Sequence, residues 1–267
     1  LLVALAAGGG ANLVWRNVRD RVLSHEDYLL LPKQITVTPL PAWIHRDLKA
    51  EVLRDGELLS GQSILDEGLA ERIAKQFRLH PWVAEVKGVQ LTHPSGADVK
   101  LSYRVPVAMV ELRGQDRPLI PVDAEAIVLP ESDFSAEDRQ KYPLITGIAT
   151  EPRVEGSKWG DLRLLGAVRI AALFGDDWQK LQLRSIVPAD PTRPSRASDD
   201  AMYEIYTQHH TRIQWGSPPG SERSNEPLAL EKKDRLLEFA LENGSLDGKN
   251  GPQLINLREP GPIRARE

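Results

Sequence analysis

The feature that most limits how this chain can fold is a change of hydrophobic period along its N-terminal part. Apolar and polar residues alternate at Gln34–Thr38, as they do in a half-buried strand. Apolar residues then recur at helical spacing over Ile44–Val52 and Leu65–Phe77, before alternation returns at Val83–Leu91 and Val99–Val105. The pattern therefore predicts a strand, two helices and two strands, which can form a two-layer α+β domain.

The rest of the chain combines short strands with two predicted helices. One helix is expected to begin at Asp161, a favourable N-cap residue, and to end at Gly175. A strand is expected over Trp178–Val187, and the second helix over Glu226–Glu242. The residues of this second helix that are predicted to face inward are Leu230, Leu237 and Leu241.

Two folded domains are predicted, because the pattern changes after the Val99–Val105 strand. The first is a small strand-helix-helix-strand-strand domain at residues 32–112, and the second is a mixed β domain with two helices at residues 113–267. Two long segments rich in turn-forming residues, Pro188–Asp200 and Ser217–Asn225, are expected to be mobile loops. The chain is thus predicted to be of the α+β class.

The N-terminus has a different character from the rest. Leu1–Val14 is uncharged and mostly apolar, but it is shorter than the roughly 20 residues that cross a bilayer. Gly8-Gly9-Gly10 makes it a poor helix in water. We therefore predict that residues 1–31 are the remnant of a membrane anchor followed by a connecting helix, Trp15–Leu31. The alternative is a buried terminal helix.

The sequence excludes several classes of function. Its formal net charge is −4 and it has no cysteine, so it lacks the positive balance typical of nucleic-acid binding and all thiolate metal ligands. It contains no phosphate-binding glycine loop, dinucleotide-binding motif, nucleophile elbow or zinc-protease motif. The histidine pair His209-His210, if on a strand, would point to opposite faces and could not easily bind one metal ion. We predict a protein that is not an enzyme and has no cofactor, metal, nucleic acid or small-molecule substrate; an enzyme with an unfamiliar site is the open alternative.

Two short motifs in the first predicted domain resemble those of a known module. Pro81-Trp82-Val83 lies where the second predicted helix gives way to a strand, and Tyr103–Ala108 follows the clearest alternating stretch. Both resemble motifs of the POTRA domain, the polypeptide-transport-associated module. The residues that this resemblance marks as structural are Pro81, Trp82, Val83, Arg104, Pro106 and Val107. We expect Trp82 to be a core residue and not a binding platform.

Motifs in the second predicted domain extend the resemblance. Ile120–Leu129 and Tyr142–Gly147, followed much later by the closing strand Leu254–Arg258, occur in the order found in the FtsQ/DivIB family of bacterial cell-division proteins. The chain departs from that pattern at Asn256, where the family often has Asp, and at Glu259, where an aromatic residue is usual. Each motif is weak alone, but their order along nearly the whole chain resembles this family.

The resemblance implies a function and a location. It implies one membrane span in the bacterial inner membrane, followed by a POTRA domain and a β domain in the periplasm. It also implies a non-catalytic divisome scaffold that binds partners of the FtsB and FtsL type and links early to late septation proteins. The alternative function is that of a POTRA-containing component of outer-membrane protein assembly or secretion.

The closing strand is the predicted partner-binding edge. Its residues are Gln253, Leu254, Ile255, Asn256, Leu257 and Arg258. Pro260 and Pro262 follow and lack N–H groups, so Glu259–Ile263 is a poor partner for the strand unless the chain turns back. An open row of backbone donors and acceptors would accept a strand from a partner, the binding mode that the resemblance also implies. The alternative is a strand with both edges covered inside its own domain.

Overall fold

The structure is a computed structural model in which both helices and sheets are present. The residues that it describes are 25–58, 61–112, 119–152, 154–189, 201–248, 251–263 and 265–266. Within these residues there are six α-helices and 13 β-strands, which confirms the predicted α+β class. The chain divides into two compact units, one ending at Arg104 and one beginning at Val105. Most of the predicted anchor segment and most of Pro188–Asp200 lie outside the described residues.

The first unit has the predicted order of a strand, two helices and two strands, with one additional strand pair. Its elements are β1 (Leu29–Leu30), β2 (Ile35–Val37), α1 (Leu48–Asp55), β3 (Gln62–Ser63), α2 (Leu69–Arg78), β4 (Val83–Thr92) and β5 (Gly96–Tyr103). The main sheet has the order β2-β5-β4, with β2 parallel and β4 antiparallel to β5. The short strands β1 and β3 form a separate antiparallel pair.

Two predicted elements at the start of this unit are wrong in part. The connecting helix does not continue to Leu31, because Glu26–Tyr28 forms a 3₁₀ turn and β1 follows it. A strand can form there because β3 supplies its hydrogen-bonding partner. The second is the helix predicted from the spacing that begins at Ile44. Helix α1 begins later, after Asp47, whose side chain accepts a hydrogen bond from Ala50 N–H at 3.0 Å.

The core of the first unit lies between its helices and its sheet. The apolar side chains of α2 that were predicted to share one face, Leu69, Ile73 and Phe77, are fully buried. Trp82 is also fully buried, directly before β4 begins at Val83. The Arg104 N–H donates to the Trp82 carbonyl at 2.9 Å, so the two motifs that the sequence singled out in this unit meet in space.

The second unit is built on one large mixed sheet. Its elements are β6 (Pro106–Leu112), β7 (Ile120–Asp123), α3 (Ala136–Gln140), β8 (Leu144–Ile148), α4 (Leu162–Phe174), α5 (Asp177–Lys180), β9 (Leu183–Pro188), β10 (Tyr203–Thr207), β11 (Arg212–Gly216), α6 (Ala229–Asn243), β12 (Leu254–Asn256) and β13 (Ala265–Arg266). The strand order is β13-β12-β11-β10-β9-β8-β6-β7. Strand β6, with Pro106 and Val107, belongs to this sheet, whereas the sequence pattern placed it in the first domain.

Helix α4 forms as its end signals predict. The Asp161 side chain accepts a hydrogen bond from Arg163 N–H at 2.8 Å, and Gly175 ends the helix with a φ of +50°. Its buried residues pack into a core that includes the rings of Phe174 and Trp215, whose centroids are 5.4 Å apart. Trp178 joins this core from α5, so the prediction of a strand beginning at Trp178 is wrong.

Helix α6 presents a different face to the core from the one that was predicted. Leu230 and Leu241 are 60% and 85% exposed, while Leu237 is only partly buried against the core. The fully buried residues are Leu236 and, unexpectedly, Lys232. The leucine spacing alone did not identify the inward face, because that face contains Lys232, which is buried against Glu226 and Trp215 outside the helix.

The buried Lys232 is paired with Glu226 in the segment that precedes the helix. Their Nζ and Oε1 atoms are 2.5 Å apart, and the ammonium group lies 5.2 Å from the centroid of the Trp215 ring. Burial lowers the pKa of Lys232, against the raising effect of Glu226. Burial acts to raise the pKa of Glu226, but hydrogen bonds from Lys232 and Ser217 outweigh it and hold that pKa below its ordinary value.

The Glu226 carboxylate also accepts hydrogen bonds from the backbone of the loop that precedes it. One carboxylate oxygen accepts the Ser217 N–H at 2.8 Å, and the other accepts the Arg223 N–H at 3.3 Å. Ser217 itself is buried. The segment Ser217–Asn225, which the sequence predicted to be a mobile loop, is therefore tied to Glu226 at two points.

Replacing Trp82 with Ala should destabilise the chain by about 3–5 kcal/mol, because the change removes a fully buried ring and leaves a cavity. The measurement is the free energy of unfolding from urea denaturation. Leu79→Ala is the control, since Leu79 is 70% exposed and its truncation should change that free energy by less than about 0.5 kcal/mol. Unchanged stability of the Trp82 variant would show that the ring is not a core element.

Replacing Glu226 with Gln should leave Lys232 as an unpaired buried cation and lower the free energy of unfolding at neutral pH by about 3–5 kcal/mol. The folded-state pKa of Glu226 lies below its ordinary value of 4.5, so its contribution is present above that pH and is lost as pH falls through the folded pKa. The difference in stability between variant and wild type should therefore shrink below a pH of about 4.

The matched control for this substitution is Glu231→Gln, which removes the same charge from an exposed position on α6. Its free energy of unfolding should stay within about 0.5 kcal/mol of the wild type. Equal losses in the two variants, or a loss for Glu226→Gln that does not depend on pH, would contradict the assigned role of the buried pair.

Candidate partner-binding edge

Strand β12, which contains three of the six predicted partner-binding residues, is held firmly on its inner side. It runs parallel to β11, with Ile255 opposite Ile213 and Asn256 opposite Gln214. The side chains of Ile255 and Leu257 are fully buried in the core of the unit. Gln253 is fixed as well, because its side-chain amide donates to the Leu246 carbonyl at 2.6 Å.

Along β12 the backbone N–H and C=O groups of successive residues point alternately towards β11 and towards the outer edge of the sheet. Arg212 N–H donates to the Gln253 carbonyl at 2.9 Å, and Leu257 N–H donates to the Gln214 carbonyl at 3.0 Å. Successive residues of a strand direct their backbone groups to opposite edges. Gln253, Ile255 and Leu257 therefore direct their backbone groups to β11, and the backbone groups of Leu254 and Asn256 face the outer edge.

The prediction that nothing pairs with this outer edge is wrong. Residues 258–262 form bends and no ladder, as the prolines predicted, but the chain then turns back. Strand β13 pairs antiparallel with β12, with Arg266 opposite Leu254 and Ala265 opposite Ile255. Among the described residues, β13 and not β12 is the last strand of the sheet at this end.

The outer face of the sheet beside this edge carries a row of polar side chains. Asn256 Oδ1 accepts a hydrogen bond from Arg258 N–H at 3.0 Å, and Arg258 Nη2 donates to Gln214 Oε1 at 2.8 Å. Glu204 and Arg212 form an ion pair on the next two strands, with Arg212 Nε 2.8 Å from Glu204 Oε2. The predicted residues Asn256 and Arg258 thus belong to a larger polar surface.

The pKa of Glu204 reflects this setting. Partial burial acts to raise it, but hydrogen bonds from Arg212 and Tyr206 outweigh burial and hold the pKa below its ordinary value. Sequence reasoning missed Glu204, Arg212 and Gln214. In the β10–β11 pair Glu204 lies opposite Gln214, and Arg212, two residues before Gln214, shares its face.

The described residues of this edge form no metal site. They contain no cluster of three or more His, Asp or Glu side chains that could hold a metal ion. His209 and His210 are both exposed in the turn between β10 and β11, not on opposite faces of a strand as predicted. What the geometry provides is backbone hydrogen bonding and polar side chains at the end of a sheet, which suits protein recognition.

Within the part of the chain that the structure describes, no helix combines the length and apolar character needed to cross a membrane. The apolar run Leu1–Val14 lies outside that part.

Comparison with known proteins identifies the family. No protein-family model matches the chain. The chain is, however, 31% identical over 267 residues to a protein of Anaeromyxobacter sp. (strain K) named cell division protein FtsQ. The matched region covers 97% of this chain and 80% of that relative. This similarity supports a cell-division role. The chain belongs to the FtsQ family of cell-division proteins.

Proposed function

We propose that this chain is a non-catalytic scaffold of the bacterial divisome, which binds proteins of the FtsB and FtsL type outside the cytoplasm and links early to late septation proteins. The observation that carries the proposal is the similarity to a cell division protein FtsQ over 97% of the chain. That similarity favours a division scaffold over the alternative of a component of outer-membrane protein assembly or secretion.

The first unit fits a POTRA domain and the second an FtsQ-type β domain. Support for the former comes from the strand-helix-helix-strand-strand order and from Trp82, whose carbonyl accepts the Arg104 N–H at the junction of the two motifs. In this proposal the apolar run Leu1–Val14 is part of a single inner-membrane anchor, and both units lie in the periplasm. The anchor segment lies outside the described residues.

The partner is proposed to bind by strand addition at the β12–β13 end of the large sheet. At the opposite end a segment of the same unit covers the outer edge of β7, because Val128 bridges Val122 of β7 and the Leu129 N–H donates to the Pro121 carbonyl at 2.9 Å. At the β12–β13 end the outward backbone groups belong to a two-residue strand and to alternate residues of β12. An incoming strand can form a ladder there, and Asn256 and Arg258 can add contacts to a polar or acidic partner segment.

Proline at Asn256 tests this mode of binding. Asn256 N–H faces the outer edge, so Asn256→Pro removes an outward donor without removing a hydrogen bond to β11. Circular dichroism and melting temperature should stay close to the wild type. Affinity for the extracytoplasmic segment of an FtsB-type protein, measured by titration calorimetry, should fall at least about tenfold, or roughly 1.4 kcal/mol.

Two matched variants separate the backbone donor from other effects. Asn256→Ala keeps the N–H and should bind within about threefold of the wild type, which is less than 1.4 kcal/mol. Leu257→Pro removes the donor to the Gln214 carbonyl and should destabilise the fold itself. If Asn256→Pro folds and binds the segment as tightly as the wild type, the interface lies elsewhere, and the long strand β4 of the first unit becomes the leading candidate.

A further inference from the structure

The edge proposed to receive a partner is already occupied by the chain itself. Leu254 directs its backbone groups outward, and Arg266 stands opposite it in the antiparallel β12–β13 ladder. This pair is therefore the hydrogen-bonded one of the two, since in such a pair both residues exchange their N–H and C=O groups. Any strand that adds to Leu254 must first replace β13.

Contacts within the second unit hold the bend that brings the chain back from β12 to β13. Arg235, on α6, donates from Nη1 to the Glu259 carbonyl at 3.0 Å. Gly261 has a φ of +102°, a backbone conformation that glycine adopts without strain. Ile263 is partly buried against the core of the unit. These three features direct the chain back towards β12, so β13 is delivered to the edge by structure on both sides of the bend.

The hold of β12 on the sheet does not depend on β13. Strand β12 pairs with β11 on its inner side, whereas β13 pairs with its outer edge. Strand β12 is also anchored by the fully buried side chains of Ile255 and Leu257. Because these anchors of β12 do not involve β13, β13 can leave the edge while β12 stays in place.

We propose that β13 is a removable cover that protects the outer edge of β12 and competes with the incoming partner strand. This inference rests on the proposed function, because it regulates the same edge. A partner reaches the edge only in molecules in which β13 is detached, so its apparent affinity is reduced by the fraction of open molecules. The cover also keeps two copies of this chain from pairing edge to edge when no partner is present.

The first test needs no partner. Amide hydrogen exchange is followed by NMR in the chain of residues 1–267 and in a variant that ends at Ile263, both in detergent micelles. Removal of β13 should speed exchange of the outward-facing Leu254 amide at least about tenfold, while the Ile255 amide, which faces β11, should stay protected. Equal exchange of the Leu254 amide in the two chains would overturn the inference whatever the partner does.

The second test measures binding of the FtsB-type extracytoplasmic segment. Arg266→Pro removes the donor that faces Leu254, so it should open the cover and tighten binding at least about fivefold. Arg266→Ala removes the same side chain but keeps the donor. Ala265→Pro removes an N–H that faces away from β12. Both controls should bind like the wild type.

The outcomes distinguish this inference from the function on which it rests. Tighter binding by Arg266→Pro and by the chain that ends at Ile263, but not by the two controls, supports a competing cover. Equal binding by all of these chains, together with weaker binding by Asn256→Pro, would overturn the cover and leave the proposed function in place. Failure of every chain to bind the segment would contradict the proposed function itself.

Discussion

Every strand carries hydrogen-bonding groups on both of its sides, and a sheet that does not close on itself leaves a row of them at each end. The eight-stranded sheet of the second unit meets this constraint differently at its two ends. At β7 the chain folds back as a closing arm through Val128 and Leu129. At the other end the described residues place the short strand β13 against β12. The end at β12 and β13 is the one to which the proposed partner strand adds.

The firm inner attachment of β12 depends on packing around α6 and β11. Trp215, the last side chain before Gly216 ends β11, is fully buried and lies beneath the ammonium group of Lys232. Glu226 neutralises that ammonium group and holds Ser217 N–H at the end of the same strand. A buried ion pair is weak evidence for stability by itself, because desolvation offsets the attraction. Here the ion pair fixes the position of α6, because it connects the start of that helix to β11, the strand with which β12 pairs.

The sequence was sufficient to predict an element where the interaction that determines it lies within a few residues along the chain. Asp161 and Gly175 mark the ends of α4 because capping and a positive φ are local requirements. The same reasoning gave the element order of the first unit. It did not give the inward face of α6, because the burial of Lys232 depends on Glu226 outside the helix and Trp215 on a distant strand. It also did not give β13, since a two-residue strand after a proline-containing bend has too few residues to show an alternating pattern.

The alternation of backbone groups along β12 has a further consequence for how binding and folding are related. Odd-numbered residues bond to β11 and, at Ile255 and Leu257, bury their side chains, whereas Leu254 and Asn256 direct their backbone groups to the edge. Substitutions at the first set act on stability, and substitutions at the second act on what pairs with the edge. The proposed scaffold role requires the chain to remain folded while its edge changes occupant, and this separation permits that. In the inferred arrangement β13 can leave the edge without loss of the fold, because β12 does not depend on β13 for its place in the sheet.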